Sequence, residues 1–189
     1  RYEDRRNTIN DFMISNKAKS MSSIGHINKS INVGNDGQQR FYDSCRAAGK
    51  EVKKTSQHDD IKNHTDFVVD GVGFDVKGLK QTQKEGKVVL EIKNVQGKMG
   101  WCNGEQKPAW IAFDYGAFFL CAKNDDLFDL AHTCDWTKKV SNFKDSLYKG
   151  YTRKGRKDLM TTVLLYDILN TCEHWFLPYE EYRSPMELL

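Results

Sequence analysis

Two rhythms organise the hydrophobic positions of this chain. In NVGNDGQQRFYDSCRAAGKEV, Phe41, Tyr42, Cys45 and Ala48 recur at helical spacing. With Asn35 or Asp36 as N-cap and Gly49 as the C′ residue, that spacing predicts one amphipathic helix. From His64 the period changes to two: HTDFVVDGVGFDVKG alternates around Asp70-Gly71, a pair favoured in two-residue hairpin turns. A strand follows at VVLEIKN, then the Gly-rich connection QGKMGWCNGE. WIAFDYGAFFLCAK predicts a second hairpin turning near Tyr115-Gly116, and NDDLFDLAHTC a helix capped by Asn124 or Asp125. MTTVLLYDI predicts a buried strand with a short helix behind it. No repeat or low-complexity linker interrupts this order, so the expected architecture is an α/β core whose mixed central sheet is flanked by helices. Residues 1–32 are polar and poor in aromatics, and read as an N-terminal arm before one domain over 33–189.

The first hairpin carries the candidate chemistry. With Asp70 and Gly71 as the turn, cross-strand pairing sets Asp66 opposite Asp75, and Lys77 shares the face of Asp75. Phe67, Val69, Val72, Phe74 and Val76 fall on the other face, which is the expected core side. Opposed like charges destabilise a sheet. A divalent cation such as Mg²⁺, which takes oxygen ligands, would offset that repulsion. A wet hairpin carrying Asp and Lys for solubility is the plainer reading of the same pattern.

Composition narrows the class. A chain of 189 residues with 39% hydrophobic and 12% aromatic content can bury one substantial core. No apolar run approaches bilayer-spanning length and the polar opening RYEDRRNTIND is unlike a signal peptide, so a cytoplasmic protein without a membrane partner is expected. Its first residue is Arg rather than Met, as in a fragment or a processed chain. Net charge is +3, but YTRKGRK gathers Arg153, Lys154, Arg156 and Lys157 without an acid. Such a cluster suits nucleic-acid phosphates, or is simply a solvated loop. Five cysteines without tight pairs read as reduced thiols, which makes the sequons at Asn28 and Asn63 incidental. His132, Cys134, Cys172 and His174 would make four zinc ligands, but their gaps are not a standard zinc spacing and Cys134 fits a helix's apolar face. Trp101 would stack on a base or fill the core, and burial is the commoner fate of a large aromatic.

Asp66, then Asp75-Val76-Lys77 after a turn and behind a capped helix, resembles the signature of the PD-(D/E)xK nucleases, with Thr65-Asp66 where that superfamily usually has Pro-Asp. The run from HTDFVVDGVGFDVKG through LEIKNVQGKMGW to WIAFDYGAFFLC resembles phage-encoded endonucleases of the superfamily, over about Val33 to Leu177. The resemblance implies a restriction-endonuclease-like fold and a metal-dependent DNA endonuclease. Asp66 and Asp75 would bind Mg²⁺ or Mn²⁺ with the backbone carbonyl of Val76. Lys77 would position and polarise the attacking water and offset charge on the scissile phosphate. Where the family's first helix often supplies a Glu, this chain has Gln38 or Gln39, and Gln38 fits better because Phe41 and Cys45 then point to the core. Glu91-Ile92-Lys93 has the D/E-x-K form as well; Glu91 is expected as an additional ligand or base, and Lys93 as a surface lysine. The loop near Glu85-Gly86 decides which face Glu91 takes. DNA is the expected partner, with RNA as the alternative and a homodimer left open. The runner-up function is a nuclease fold that binds nucleic acid without cutting it.

Overall fold

The computed structural model describes residues 29–56, 64–103 and 107–179. Contacts divide the chain into two units, 1–32 and 33–189. The polar arm up to residue 28 and the sequon residues Asn28 and Asn63 lie outside the described residues.

In chain order the elements are α1 (Lys29–Ala47), β1 (Val52–Lys54), β2 (Phe67–Val69), β3 (Val72–Lys77), α2 (Gln81–Lys84) and β4 (Lys87–Lys93). They continue with β5 (Trp110–Asp114), β6 (Phe118–Lys123), α3 (Asn124–His132), β7 (Asp135–Val140), β8 (Lys149–Tyr151), β9 (Leu159–Leu164), α4 (Leu165–Thr171) and β10 (His174–Pro178). Six strands form one mixed sheet in the order β1-β2-β3-β5-β6-β10, antiparallel except at β3/β5. The other four form a second sheet in the order β4-β9-β8-β7, with β7/β8 parallel. The chain is therefore α/β, with mixed sheets and helices against them.

Helix α1 starts well ahead of the cap expected at Asn35 or Asp36. Its end follows the expected chemistry. Gly49 sits at φ 73°, and the N–H groups of Gly49 and Lys50 return to Arg46 and Cys45, closing a Schellman turn. Phe41 is fully buried, 5.7, 5.5 and 5.2 Å from the rings of Phe67, Phe74 and Phe119. That aromatic cluster fastens α1 to the hairpin and the central sheet.

The hairpin register is the expected one: Phe67 pairs with Phe74, Val68 with Gly73 and Val69 with Val72. Asp70 and Gly71 both have positive φ, 47° and 83°, as a type I′ turn requires. The paired ladder ends at Phe67–Phe74, and Asp66 lies just beyond it, its N–H donating to the Phe74 carbonyl at 2.8 Å. Phe67, Val69, Phe74 and Val76 are buried, whereas Val72 beside the turn is 38% exposed and not core. The polar face is not wet either: Asp66 and Asp75 are 6% and 5% exposed.

Strand β5 explains this. It is covered on both faces, with Ile111, Ala112 and Phe113 all at 2% exposure or less. Asp75 and Lys77 pair with Ile111 and Phe113, so the carboxylate face continues into a buried apolar one roofed by Trp101, 6.1 Å from Phe113. Trp101 is buried, as expected. Asn124 is not a cap but the first residue of α3, and its buried amide donates to the carbonyls of Trp101 and Pro108 at 3.0 Å each.

Candidate active site

Three elements bring the expected residues together. A Cβ added at Gly37 would lie 3.3 Å from the Gly78 Cα, so α1 crosses closely over the chain just past Lys77. That approach seats Gln38 beside Asp66, and its amide donates to Asp66 Oδ1 at 2.7 Å. The other oxygen, Oδ2, accepts the Val76 N–H at 2.7 Å. Gln39, the alternative, pairs instead with Asp43 on the helix surface.

Asp75 is held differently. The Lys77 ammonium lies 2.5 Å from its Oδ2 but off the direction a hydrogen bond needs, so Oδ2 is a buried oxygen without a hydrogen-bond donor. The same ammonium sits over the Trp101 ring, 5.1 Å from the centroid, a cation–π contact. Only 22% of the Lys77 side chain is exposed.

Glu91 of β4 turns toward this group. Burial raises its pKa above the ordinary glutamate value, opposed by Lys77, His64 and Lys80. Its backbone is locked by the turn that follows: Cys102 donates to the Glu91 carbonyl, and a Cβ on Gly100 would overlap that carbonyl. Lys93, two residues on, is exposed.

Sequence reasoning passed over three neighbours. Lys80 is exposed as a residue, yet its ammonium end is enclosed beside Lys77, Glu91, Asp75 and Arg153; desolvation, then Lys77, lowers its pKa. His64 stands within electrostatic reach of Glu91 with φ 51°, a backbone setting rare outside glycine. Below them Asp114, fully buried, accepts from the Arg40 guanidinium at 2.7 Å, from Gly116 N–H at 2.7 Å and from the Tyr179 hydroxyl. Burial, then Asp114, pushes the Tyr179 pKa up. This cluster pins α1 to the C-terminal end of β5.

The basic segment forms the β8–β9 loop. Arg153, itself exposed, is tied down, donating through its backbone N–H and its guanidinium to buried Asp158. Lys154, Arg156 and Lys157 are exposed.

Two observations bear on whether a hard cation fits. Asp66, Asp75, Glu91 and the Val76 carbonyl are all oxygen donors of the kind Mg²⁺ takes, and Asp75 Oδ2 accepts no hydrogen bond, its charge being met by the Lys77 ammonium. Against that, no three His, Cys, Asp or Glu side chains among the described residues are grouped to hold an ion as they stand. The donor chemistry fits an ion held by two carboxylates and a carbonyl. The residues weighed for zinc do not gather: His132 Nδ1 faces the Phe128 carbonyl, His174 Nδ1 faces that of Cys172, and Cys134 and Cys172 are free thiols. No described helix is long and apolar enough to cross a membrane.

Compared with protein-family models, with curated proteins and with solved structures, the chain matches none of them.

Proposed function

We propose that the chain is a metal-dependent phosphodiesterase, a DNA endonuclease with a PD-(D/E)xK site at Asp66, Asp75 and Lys77. The observation that carries this reading is that one hairpin buries two carboxylates, Asp66 and Asp75, the second with an oxygen that accepts no hydrogen bond, beside a lysine held against Trp101. Proteins rarely bury carboxylates without a use for them. Asp66, Asp75 and the Val76 carbonyl would hold Mg²⁺ or Mn²⁺. When bound, such a cation offsets charge developing on the phosphate and makes water a better nucleophile.

The chain's own groups divide the remaining work. Val76 N–H and Gln38 keep Asp66 in one orientation, so it meets its ligand with little left to order. Lys77 can swing from Asp75 to donate to a phosphate oxygen and to the attacking water. As the water oxygen bonds to phosphorus, Glu91 would take the water's proton, and the sugar oxygen, leaving with the electron pair of its broken bond to phosphorus, would take a proton from solvent. Its raised pKa makes it a stronger base than a surface carboxylate. Lys80 and the exposed cations of the β8–β9 loop would meet the flanking phosphates.

The test is nicking of supercoiled plasmid in Mg²⁺, stopped by chelator and restored by Mg²⁺ or Mn²⁺. A second reading keeps one observation in its favour: both Asp66 oxygens already accept hydrogen bonds, one from neutral Gln38 where the family often has Glu. On that reading the protein grips nucleic acid without cutting, and it would bind duplex in chelator yet leave DNA and RNA intact with either metal.

A further inference from the structure

We propose that the turn at residues 94–100, between β4 and Trp101, is a duplex-docking tip in which Val95 and Met99 press apolar surface between base steps while flanking cations hold the phosphates. This rests on the phosphodiesterase reading and names how that site grips its substrate. Val95 and Met99 are 42% and 53% exposed, two of five large hydrophobic residues left open among the described residues. The turn that carries them is tightly built. Asn94 N–H donates to Lys98 O and Gly97 N–H to Asn94 O, both at 2.9 Å. The Asn94 side chain accepts from Gln96 and Lys98 N–H at 3.0 and 3.1 Å, and Lys93 bridges Met99 across the base. A rigid turn loses little conformational freedom when it docks.

The basic loop is packed on this turn. Lys157 N–H donates to the Val95 carbonyl at 3.4 Å, and the Lys157 side chain lies against Gly97, where an added Cβ would come within 3.1 Å of it. Lys93, Lys98 and Lys157 therefore flank the exposed Val and Met, with Lys154 and Arg156 exposed on the same packed loop, and neither 93–99 nor 149–157 contains a carboxylate. An acid-free cationic rim around a small apolar tip suits a polyanion with a stacked apolar interior. It matches how apolar wedges enter duplex grooves, and a protein partner would meet unpaired like charge. The tip is also continuous with the site: Gly100 packs on Glu91, and Trp101 lies beneath the Lys77 ammonium.

The experiment is fluorescence anisotropy on a short labelled duplex in chelator, where nothing is cut, repeated over a salt series. Changing both Val95→Ser and Met99→Ser should weaken binding about tenfold, roughly what burying the exposed half of a methionine contributes. The log–log salt slope should stay unchanged, because no phosphate contact is lost. Lys154→Ala with Arg156→Ala should instead flatten that slope by about 2. A 2-aminopurine in the duplex should brighten with the wild type and stay dim with Met99→Ser. Both serine positions are exposed, so thermal melts should match the wild type. Wild-type affinity in the serine variant, or a dim 2-aminopurine with the wild type, overturns the tip alone. A wild type that binds no duplex overturns the tip and the phosphodiesterase reading together.

Discussion

Asp66→Ala and Asp66→Asn should differ in stability while agreeing in activity. Asp66 is 6% exposed, and its two oxygens accept the Val76 N–H and the Gln38 amide, each at 2.7 Å. Alanine removes both acceptors. Val76 is itself buried, so its N–H is left without a partner at a cost of about 1–3 kcal/mol. Gln38 is only partly buried and its amide can turn to water. Removing one of two buried carboxylates returns part of the loss, which leaves a net destabilisation of about 1–2 kcal/mol in metal-free protein. Asparagine can keep its oxygen toward Val76 and its amide toward Gln38, provided the Gln38 amide flips. Both bonds then survive as neutral ones, and stability should change by less than about 1 kcal/mol. Each variant loses the charge that would bind the cation, so each should nick plasmid only at background rate. Urea unfolding in chelator gives the stabilities, compared at constant m. An alanine variant as stable as the asparagine one would show that Asp66 does not hold Val76. Wild-type nicking by either variant would take Asp66 out of the site.

Lys77→Ala should retain duplex and Mg²⁺ binding while cutting falls by roughly two to four orders of magnitude, and Lys77→Arg should not restore it fully, because a planar fork cannot put a compact charge at the same point. Near-normal cutting by the alanine variant at saturating metal would reduce Lys77 to a counter-charge. Burial holds Glu91 protonated to a higher pH than in the unfolded chain, so the stability it contributes is full below the ordinary glutamate range and is lost as pH rises through the raised value. Glu91→Gln should accordingly melt above wild type at about pH 8 and close to it at about pH 4; parallel melting curves at both would contradict a raised Glu91. Gly100→Ala forces a methyl group into the Glu91 carbonyl, and should cost about 1–3 kcal/mol and lower nicking more than duplex binding.

The hairpin was legible because the chemistry is local. Asp70-Gly71 dictates a type I′ turn, and that turn sets the register that ends at Phe67–Phe74, beside Asp66 and Asp75. Gln38 was legible only through the family resemblance, with helical spacing from Phe41 and Cys45 choosing it over Gln39; the structure sets its amide on Asp66. Burial of the carboxylate face was not, because Trp101 and Glu91 arrive from a different sheet and no period in the hairpin itself announces a roof. The start of α1 was obscured by Gly34 and Gly37, residues of low helix propensity that make a cap at Asn35 or Asp36 look natural. Gly37 is there because a side chain would crowd Gly78 and Asp114. Strands β7 and β10 carry no clean alternation: β7 (DWTKKV) is a half-exposed edge strand and β10 ends on Pro178, both tolerated at a sheet edge. In the basic segment Arg153 could not be told from its neighbours, since its partner Asp158 is buried only once the β8–β9 loop closes.

Titration of Mn²⁺ into metal-free protein, followed by the loss of the free-ion paramagnetic resonance signal, asks without any substrate whether buried Asp66 and Asp75 hold the divalent cation on which cutting depends. The wild type should bind Mn²⁺ saturably, competed by Mg²⁺, and Asp75→Asn should lose that binding while staying folded. Binding that survives Asp75→Asn unchanged, or a wild type that takes up no Mn²⁺, would contradict that role for the two carboxylates.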